Sequence, residues 1–357
     1  MTPSNGILKT LLRLSLLASA VCIFGCSPGG GPTGAVTLQG AGASFPNPLY
    51  QKWLSEYGKL YPNIRIDYQS IGSGGGQKQI KERTVDFGAS DTPMSDEDLK
   101  GAPAELIHIP TVLGAVVLTY NLQGVSQPLH FSPDVVADIF LGKIKRWDDP
   151  RIKADNSGAT LPGADVTVVH RSDTSGTTGV WTDYLSKVSP DWKQKVGAGT
   201  AVNWPVGLGG KGNEGVTGQI KQTPNTLGYV ELIYALQNNL PVGLIKNKSG
   251  NFPPPGLEST TSAAAGAIAN TPDDLRVSIT DSSGPDSYPV ASYTYILAYK
   301  DQKDATKGKA LVDYLWWCIH DGQKFAADLK YAALPNEIVK RAETKINSIT
   351  SGGKPLR

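Results

Sequence analysis

Short apolar segments with an alternating pattern recur along the chain, and several lead into a turn of small residues followed by an amphipathic segment. Alternating apolar and polar residues predict strands, whereas apolar residues spaced three and four apart predict helices. The predicted strands cover residues 36–39, 64–68, 85–91, 166–169, 227–230 and 293–299. The predicted helices cover residues 46–57, 77–83, 133–141, 180–185, 233–237, 307–320 and 335–349. This order of elements favours an α/β fold with a parallel sheet.

One long apolar stretch, residues 106–120, departs from this pattern. Pro110 and the high valine content favour extended structure over a helix, and a strand of this length can cross from one lobe to another. A chain of 357 residues exceeds the usual size of one domain, so we expect two lobes or one large α/β unit. Residues 247–263 are rich in Pro, Gly and Ser and are predicted to form a surface loop.

The first 25 residues have the composition of an export signal. Lys9 and Arg13 accompany an apolar run that is too short to span a bilayer as a permanent helix. Cys26 follows in a context typical of the acylated cysteine of a bacterial lipoprotein, and residues 26–35 have the composition of a flexible tether. The alternative is an ordinary signal peptide with incidental cysteines.

Processing also changes the charge of the protein. The full chain has 34 Lys and Arg against 32 Asp and Glu. The predicted signal peptide carries two of the basic residues and no acidic residue, so the mature protein is near neutrality. Nucleic-acid binding, which needs a broad basic field, is therefore not expected. An anion would have to be bound by hydrogen-bond donors within its site, since the protein as a whole carries no excess of positive charge.

The segment HRSDTSGTT, residues 170–178, is the strongest candidate for such donors. It connects a predicted strand to a predicted helix, where free backbone N–H groups and hydroxyls can bind an anion. Arg171 would add charged donors, and Asp173 is placed to orient its guanidinium. Turns at Ser44 and at residues 71–77 repeat the arrangement of strand, small residues and helix. The simpler alternative for the first segment is a capped helix with a surface arginine.

Other chemistries have weaker support. The glycine-rich segment 204–214 contains a GxGxxG spacing, but no strand leads directly into it. Dinucleotide binding is therefore not expected, and the segment is predicted to be a turn. The four histidines are scattered and lack the spacing of a metal site, and neither metal nor cofactor is expected. Ser175 lies close to Asp173, but no GxSxG motif or identifiable base supports a hydrolase.

Several segments together carry a resemblance that no single motif would support. They are GAGASFPNPLYQKW (40–53), IGSGGGQKQI (71–80), VDFGASDTPMSD (85–96), LGKIKRWDD (141–149), HRSDTSGTT (170–178), VNWPVGLGGKGNEG (202–215), LGYVE (227–231) and SGGKPLR (351–357). With these segments, nearly everything after residue 36 resembles the phosphate-binding component of the bacterial high-affinity ABC phosphate transporter.

The resemblance implies a two-lobed periplasmic-binding-protein fold, type II-like, with the ligand cleft between lobes joined by hinge strands. We expect the first lobe to comprise residues 36–112 and 290–357, and the second to comprise residues 113–289. The implied function is capture of inorganic phosphate and delivery to the membrane subunits of an ABC permease, without catalysis. We expect a monomer in the periplasm or at the cell surface, anchored to the membrane by a lipid on Cys26.

The resemblance also implies a set of ligand-binding residues. In the first lobe they are Ala43, Ser44, Phe45, Ser73 and Asp91. In the second lobe they are Arg171, Ser175, Gly176 and Thr177, with Asp173 supporting Arg171.

Asp91 carries the sharpest expectation, because an ionised carboxylate only accepts hydrogen bonds. Phosphate near neutral pH keeps an O–H to donate, whereas sulfate has none. A repelled buried contact of this kind costs roughly 2–5 kcal/mol. Two alternatives stay open: a secreted phosphatase or phosphoryl-transfer enzyme that uses Ser175 with Asp91, and a binding protein for sulfate, molybdate or another oxyanion.

Overall fold

The computed structural model of the chain describes residues 34–125 and 127–357. The predicted signal peptide, the predicted lipidation site at Cys26 and most of the predicted tether lie outside the described residues. Within the described ranges, no helix combines the length and the apolar character that a membrane span requires.

Strands and helices alternate through most of the described chain. The strands are β1 Val36–Gly42, β2 Ile64–Ser70, β3 Phe87–Ser90, β4 Leu106–Asn121, β5 His130–Phe131, β6 Thr167–Arg171, β7 Leu208–Gly210, β8 Thr226–Glu231, β9 Val242–Ile245, β10 Ala291–Tyr299, β11 Thr350–Ser351 and β12 Lys354–Pro355. The α-helices are α1 Asn47–Leu60, α2 Ser73–Lys81, α3 Asp96–Lys100, α4 Pro133–Phe140, α5 Pro150–Asp155, α6 Gly176–Val188, α7 Pro190–Lys195, α8 Gly212–Gln222, α9 Leu232–Gln237, α10 Leu257–Ala265, α11 Ala305–Ile319 and α12 Asn336–Asn347. Short 3₁₀ helices cover Ile268–Asn270, Asp321–Phe325 and Ala327–Leu329.

The main sheet runs in the order β2-β1-β3-β10-β4-β8-β6-β7; β9 also pairs with β4, and β5 pairs with β9. β1 pairs in parallel with β2 and β3, and β6 pairs in parallel with β7 and β8. The two central strands, β4 and β10, run antiparallel to their neighbours. The sheet is therefore mixed, and the prediction of an α/β fold is confirmed, with parallel strands in each half.

The long strand β4 joins the two halves of the sheet. Its first part, from Leu106 to Ala115, pairs with β10, and its second part, from Val116 to Asn121, pairs with β8. The predicted extended stretch is thus one continuous strand that crosses between two lobes. We call the part built on β1–β3 the first lobe and the part built on β6–β8 the second lobe.

Helix α2 begins earlier than the sequence predicts. It starts at Ser73, although each glycine in a helix interior costs about 1 kcal/mol relative to alanine. The glycines let the helix lie directly on the strands: a Cβ on Gly76 would stand 2.6 Å from the carbonyl oxygen of Ala41. Close packing against β1 thus outweighs local propensity.

Two loop predictions were wrong in part. Residues 247–263 contain the first turns of α10, which buries Ser259, Thr260 and Ala263. The glycine-rich segment 204–214 contains the short edge strand β7 and the start of α8. In both cases tertiary packing orders a segment whose composition suggests only a turn.

The aromatic core of the second lobe lies directly beneath the HRSDTSGTT segment. Trp181 of α6 stacks on Tyr229 of β8 with ring centroids 5.2 Å apart. The Tyr229 hydroxyl reaches out of this core to Thr178 (2.6 Å) and accepts from the Arg171 amide at 3.2 Å. The core therefore fixes both ends of the candidate anion-binding segment.

Candidate functional site

The candidate residues of both lobes meet in one buried cleft. Ser44 follows β1, Ser73 begins α2 and Asp91 follows β3, whereas Arg171 ends β6 and Ser175 caps α6. All five residues are buried, with at most 3% of their surface exposed. Residues separated by up to 131 positions are thus brought together at the carboxyl ends of parallel strands, where α/β proteins bind ligands.

Gly176 shows how closely the two lobes approach each other. A Cβ at this position would lie 2.2 Å from Ser73 Oγ and 2.5 Å from Asp91 Oδ2. The N-terminus of α6 therefore faces the Ser73 and Asp91 side chains directly. A side chain at residue 176 would occupy space that the cleft needs.

Four backbone amides around the cleft are available as donors. Across the described residues, no backbone acceptor is hydrogen-bonded to the amides of Ser44 and Phe45. The amides of Gly176 and Thr177 belong to the first turn of α6, which has no intrahelical acceptors for them. The amide of Ala43, in contrast, donates to Ala89 O at 3.0 Å.

Arg171 is held by a two-point ion pair. Its Nε donates to Asp173 Oδ1 at 2.7 Å and its Nη2 donates to Asp173 Oδ2 at 2.5 Å. Burial alone would raise the pKa of Asp173, but the hydrogen bonds and positive charge of Arg171 lower it, so this carboxylate stays ionised. The pair fixes the guanidinium plane and leaves Nη1, which also reaches Thr177 Oγ1 at 3.3 Å, on the cleft side.

Asp91 is the acceptor of the cleft. Its Oδ1 accepts from Thr294 Oγ1 at 2.9 Å, and its Oδ2 lies 3.4 Å from Ser73 Oγ. Burial raises the pKa of Asp91 from 3.8 to about 7, against the opposing effects of Thr294, Arg171 and Ser73. Asp91 is therefore ionised above about pH 7 and protonated below.

Sequence reasoning missed three residues that touch this site. Asn213 at the start of α8 donates to Ser44 Oγ, Tyr234 of α9 donates to Ser44 O, and Thr294 of β10 donates to Asp91. For Asn213 the structure shows a strand, a glycine turn and the start of a helix at residues 208–213, but the strand has only three residues and shows no apolar alternation in the sequence. Nothing in the sequence distinguishes Tyr234 or Thr294 from core residues.

The described residues contain no group of three or more His, Cys, Asp or Glu side chains that could hold a metal ion. The cleft instead offers amides, hydroxyls and one guanidinium as donors, with one carboxyl as acceptor. Such a set suits a small tetrahedral oxyanion.

Comparisons with known proteins agree with this geometry. A family model described as a PBP superfamily domain matches residues 27–316. The phosphate-binding protein PstS of Pasteurella multocida is 46% identical over 327 residues, which cover 91% of this chain and 94% of that protein. PstS of Xylella fastidiosa is 42% identical over 350 residues, with 92% and 95% of the two chains covered.

Solved structures share the fold at lower identity. The phosphate-binding protein of Stenotrophomonas maltophilia is 20% identical, with a TM-score of 0.66 over 87% of this chain and 94% of that one. The two-lobed periplasmic-binding-protein fold that the sequence implied is therefore confirmed. By sequence identity over nearly its whole length, the chain belongs to the PstS family of phosphate-binding proteins, within the PBP superfamily.

Proposed function

We propose that this protein captures inorganic phosphate in the cleft between its lobes and delivers it to an ABC permease for import. One observation carries the proposal: among the described residues, a buried cleft combines unpartnered amides, hydroxyls and Arg171 with the carboxyl acceptor Asp91. Family membership supports the same ligand, since the relatives are named for phosphate binding.

The donors are arranged to replace the hydration shell of an anion. The amides of Ser44 and Phe45 belong to the first lobe, and those of Gly176 and Thr177 belong to the second. The hydroxyls of Ser44, Ser73, Ser175 and Thr177 line the same space. A tetrahedral anion that contacts both sets would hold the lobes together, and their separation would release it.

Asp91 supplies the basis of selectivity in this proposal. Above about pH 7 it is a carboxylate with Oδ1 occupied by Thr294, so the cleft-facing oxygen can only accept. A phosphate oxygen that bears hydrogen satisfies it, whereas a fully ionised anion presents a lone pair to a buried negative charge. Selectivity of this kind needs no excess of positive charge on the protein.

Import places the protein outside the cytoplasmic membrane. The export signal at residues 1–25 and Cys26 support a periplasmic or cell-surface location with a lipid anchor. We place the first lobe at residues 36–112 and 290–357 and the second at residues 113–289, consistent with strand β4 crossing between them. We propose that the protein acts as a monomer.

A catalytic role for Ser175 has less support than binding. Its Oγ accepts from the Thr178 amide at 3.1 Å, and no imidazole or carboxylate is hydrogen-bonded to it among the described residues. A serine without a base is a neutral donor, not an activated nucleophile. The hydroxyl therefore fits anion binding better than phosphoryl transfer.

Calorimetric titration of the purified protein with phosphate tests the proposal. We expect saturable binding of one phosphate per chain and strong weakening in Arg171→Ala. An exposed arginine outside the cleft, Arg146, offers the matched control Arg146→Ala, which should bind normally. Absence of phosphate binding by the unmodified protein would refute the proposed function, and turnover of a chromogenic phosphate ester would favour the enzyme alternative.

A further inference from the structure

Asn213 lies between hydroxyls from the two lobes, and its side chain is fully buried. Its Nδ2 donates to Ser44 Oγ at 2.9 Å and to Thr177 Oγ1 at 3.2 Å. Ser44 belongs to the first lobe, whereas Thr177 and Asn213 belong to the second. The side-chain amide of Asn213 therefore contacts two of the residues that are proposed to bind phosphate.

The orientation of this amide is fixed by a third contact. Asn213 Oδ1 accepts from the backbone amide of Glu231 at 3.0 Å. If the oxygen and nitrogen of the side chain exchanged places, two N–H donors would face each other at that contact. The NH₂ group must therefore face the hydroxyls of Ser44 and Thr177.

Each of these hydroxyls receives a second donor. Ser44 Oγ also accepts from the backbone amide of Asn213 at 3.3 Å, and Thr177 Oγ1 also accepts from Arg171 Nη1 at 3.3 Å. A hydroxyl has two acceptor lone pairs and one hydrogen. When both lone pairs are occupied by donors, the hydrogen must point elsewhere, and among the described residues neither hydroxyl donates to a protein acceptor.

We propose that Asn213 is a positioning residue that directs the hydroxyl hydrogens of Ser44 and Thr177 toward the bound oxyanion. A free hydroxyl can rotate and present a lone pair, but these two can only donate. Asn213 thereby leaves Asp91 as the acceptor of the site. This inference rests on the proposed function, because it assigns a role to Asn213 within the same phosphate site.

Asn213→Asp is the sharpest substitution. The aspartate has the same shape and still accepts from the Glu231 amide, but it replaces the NH₂ donor by an acceptor oxygen. The hydroxyls of Ser44 and Thr177 would then donate to that carboxylate and turn away from the anion. We expect phosphate affinity to fall at least about 100-fold, since two hydrogen bonds to a charged ligand are lost.

A double-mutant cycle keeps the test valid whether or not the aspartate variant folds. Asn213→Ala should weaken phosphate binding about tenfold in the unmodified protein. In a Ser44→Ala/Thr177→Val background it should weaken binding less than about threefold, because the hydroxyls through which Asn213 acts are gone. Thr217→Val, which removes a hydroxyl bonded to Asn213 O on the same helix, is the control and should bind normally.

Two outcomes contradict the inference in distinguishable ways. Equal loss of affinity from Asn213→Ala in both backgrounds would make Asn213 a purely structural residue and overturn the inference alone. Failure of the unmodified protein to bind phosphate would overturn the proposed function together with the inference.

Discussion

The amide of Gly74 in the first lobe donates to the carbonyl oxygen of Thr174 in the second lobe at 3.0 Å. This backbone hydrogen bond crosses the cleft beside the anion site. A Cβ on Gly74 would lie 2.2 Å from Thr174 Cγ2, so the two lobes reach this distance only because residue 74 has no side chain. The backbone of Gly74 does not need positive φ, and an alanine is compatible with the first lobe by itself.

Gly74→Ala should therefore weaken phosphate binding without unfolding the protein. Overpacking of this kind costs about 1–3 kcal/mol, which corresponds to a loss of affinity of roughly 5- to 150-fold. Adding Thr174→Gly should restore most of the loss, as measured by calorimetry. Gly58→Ala is the matched control, because a Cβ there meets nothing within 4 Å. A double variant as weak as Gly74→Ala would show that the steric contact is not the cause.

The ion pair of Arg171 and Asp173 predicts that lysine cannot replace the arginine. A lysine ammonium lacks the planar fork that contacts both Asp173 oxygens and still faces the cleft. Arg171→Lys should reduce phosphate affinity at least about tenfold, because hydrogen bonds to charged groups contribute roughly 1.5–3 kcal/mol each. Arg146→Lys, at an exposed position, should leave the affinity unchanged. Full affinity in Arg171→Lys would mean that charge alone suffices.

Three tyrosine hydroxyls orient the backbone of the loop around Ser44. The hydroxyls of Tyr68, Tyr234 and Tyr331 donate to the carbonyl oxygens of residues 43, 44 and 45, each at 2.6 Å. These contacts hold the carbonyl groups, and the amides of Ser44 and Phe45 are left for the ligand.

Tyr234 is the one of the three that reaches the loop from the second lobe. Tyr234→Phe should accelerate phosphate release about tenfold in stopped-flow measurements, because one hydrogen bond of the closed state is lost. The half-exposed Tyr61 offers the control Tyr61→Phe. An unchanged release rate in Tyr234→Phe would indicate that this contact is not coupled to closure.

The raised pKa of Asp91 predicts a pH-dependent affinity for sulfate. Sulfate stays fully ionised near neutral pH, so it can bind only when Asp91 is protonated and can donate. With a pKa of about 7, the protonated fraction rises as the pH falls. Apparent sulfate affinity should therefore increase roughly 30-fold from pH 8.5 to pH 6 and level off below about pH 7. Titrations in a buffer without phosphate measure this, and a flat profile would contradict protonation of Asp91 in this range.

The sequence alone was sufficient to predict the elements in which a strand leads through a turn of small residues into a helix. Ser44, Ser73 and Ser175 stand at such turns, and the structure brings them together as expected from parallel strands. Asn213 was missed because the preceding edge strand, β7, has only three residues and its leucine is half-exposed. Without an apolar alternation to mark the strand, the segment resembles a simple glycine turn.

The contacts that close the cleft could not be predicted in this way. Tyr234 and Thr294 lie 190 and 203 positions from Ser44 and Asp91, the residues to which they donate. Their hydroxyls matter only because the fold aims them at a carbonyl and a carboxylate. Likewise, α2 begins at Ser73 because the helix packs against β1, and local helix propensity gives no information about that packing.

The most direct test of the account is calorimetric titration at pH 8 of the unmodified protein and of Asp91→Asn with phosphate and with sulfate. The unmodified protein should bind phosphate tightly and sulfate negligibly. Asp91→Asn should gain sulfate affinity by about tenfold at this pH, since with a pKa of about 7 only about one protein in ten carries the protonated Asp91 to which sulfate can bind. Unchanged selectivity in Asp91→Asn would contradict the role of Asp91, and equal binding of both anions by the unmodified protein would contradict a selective phosphate site.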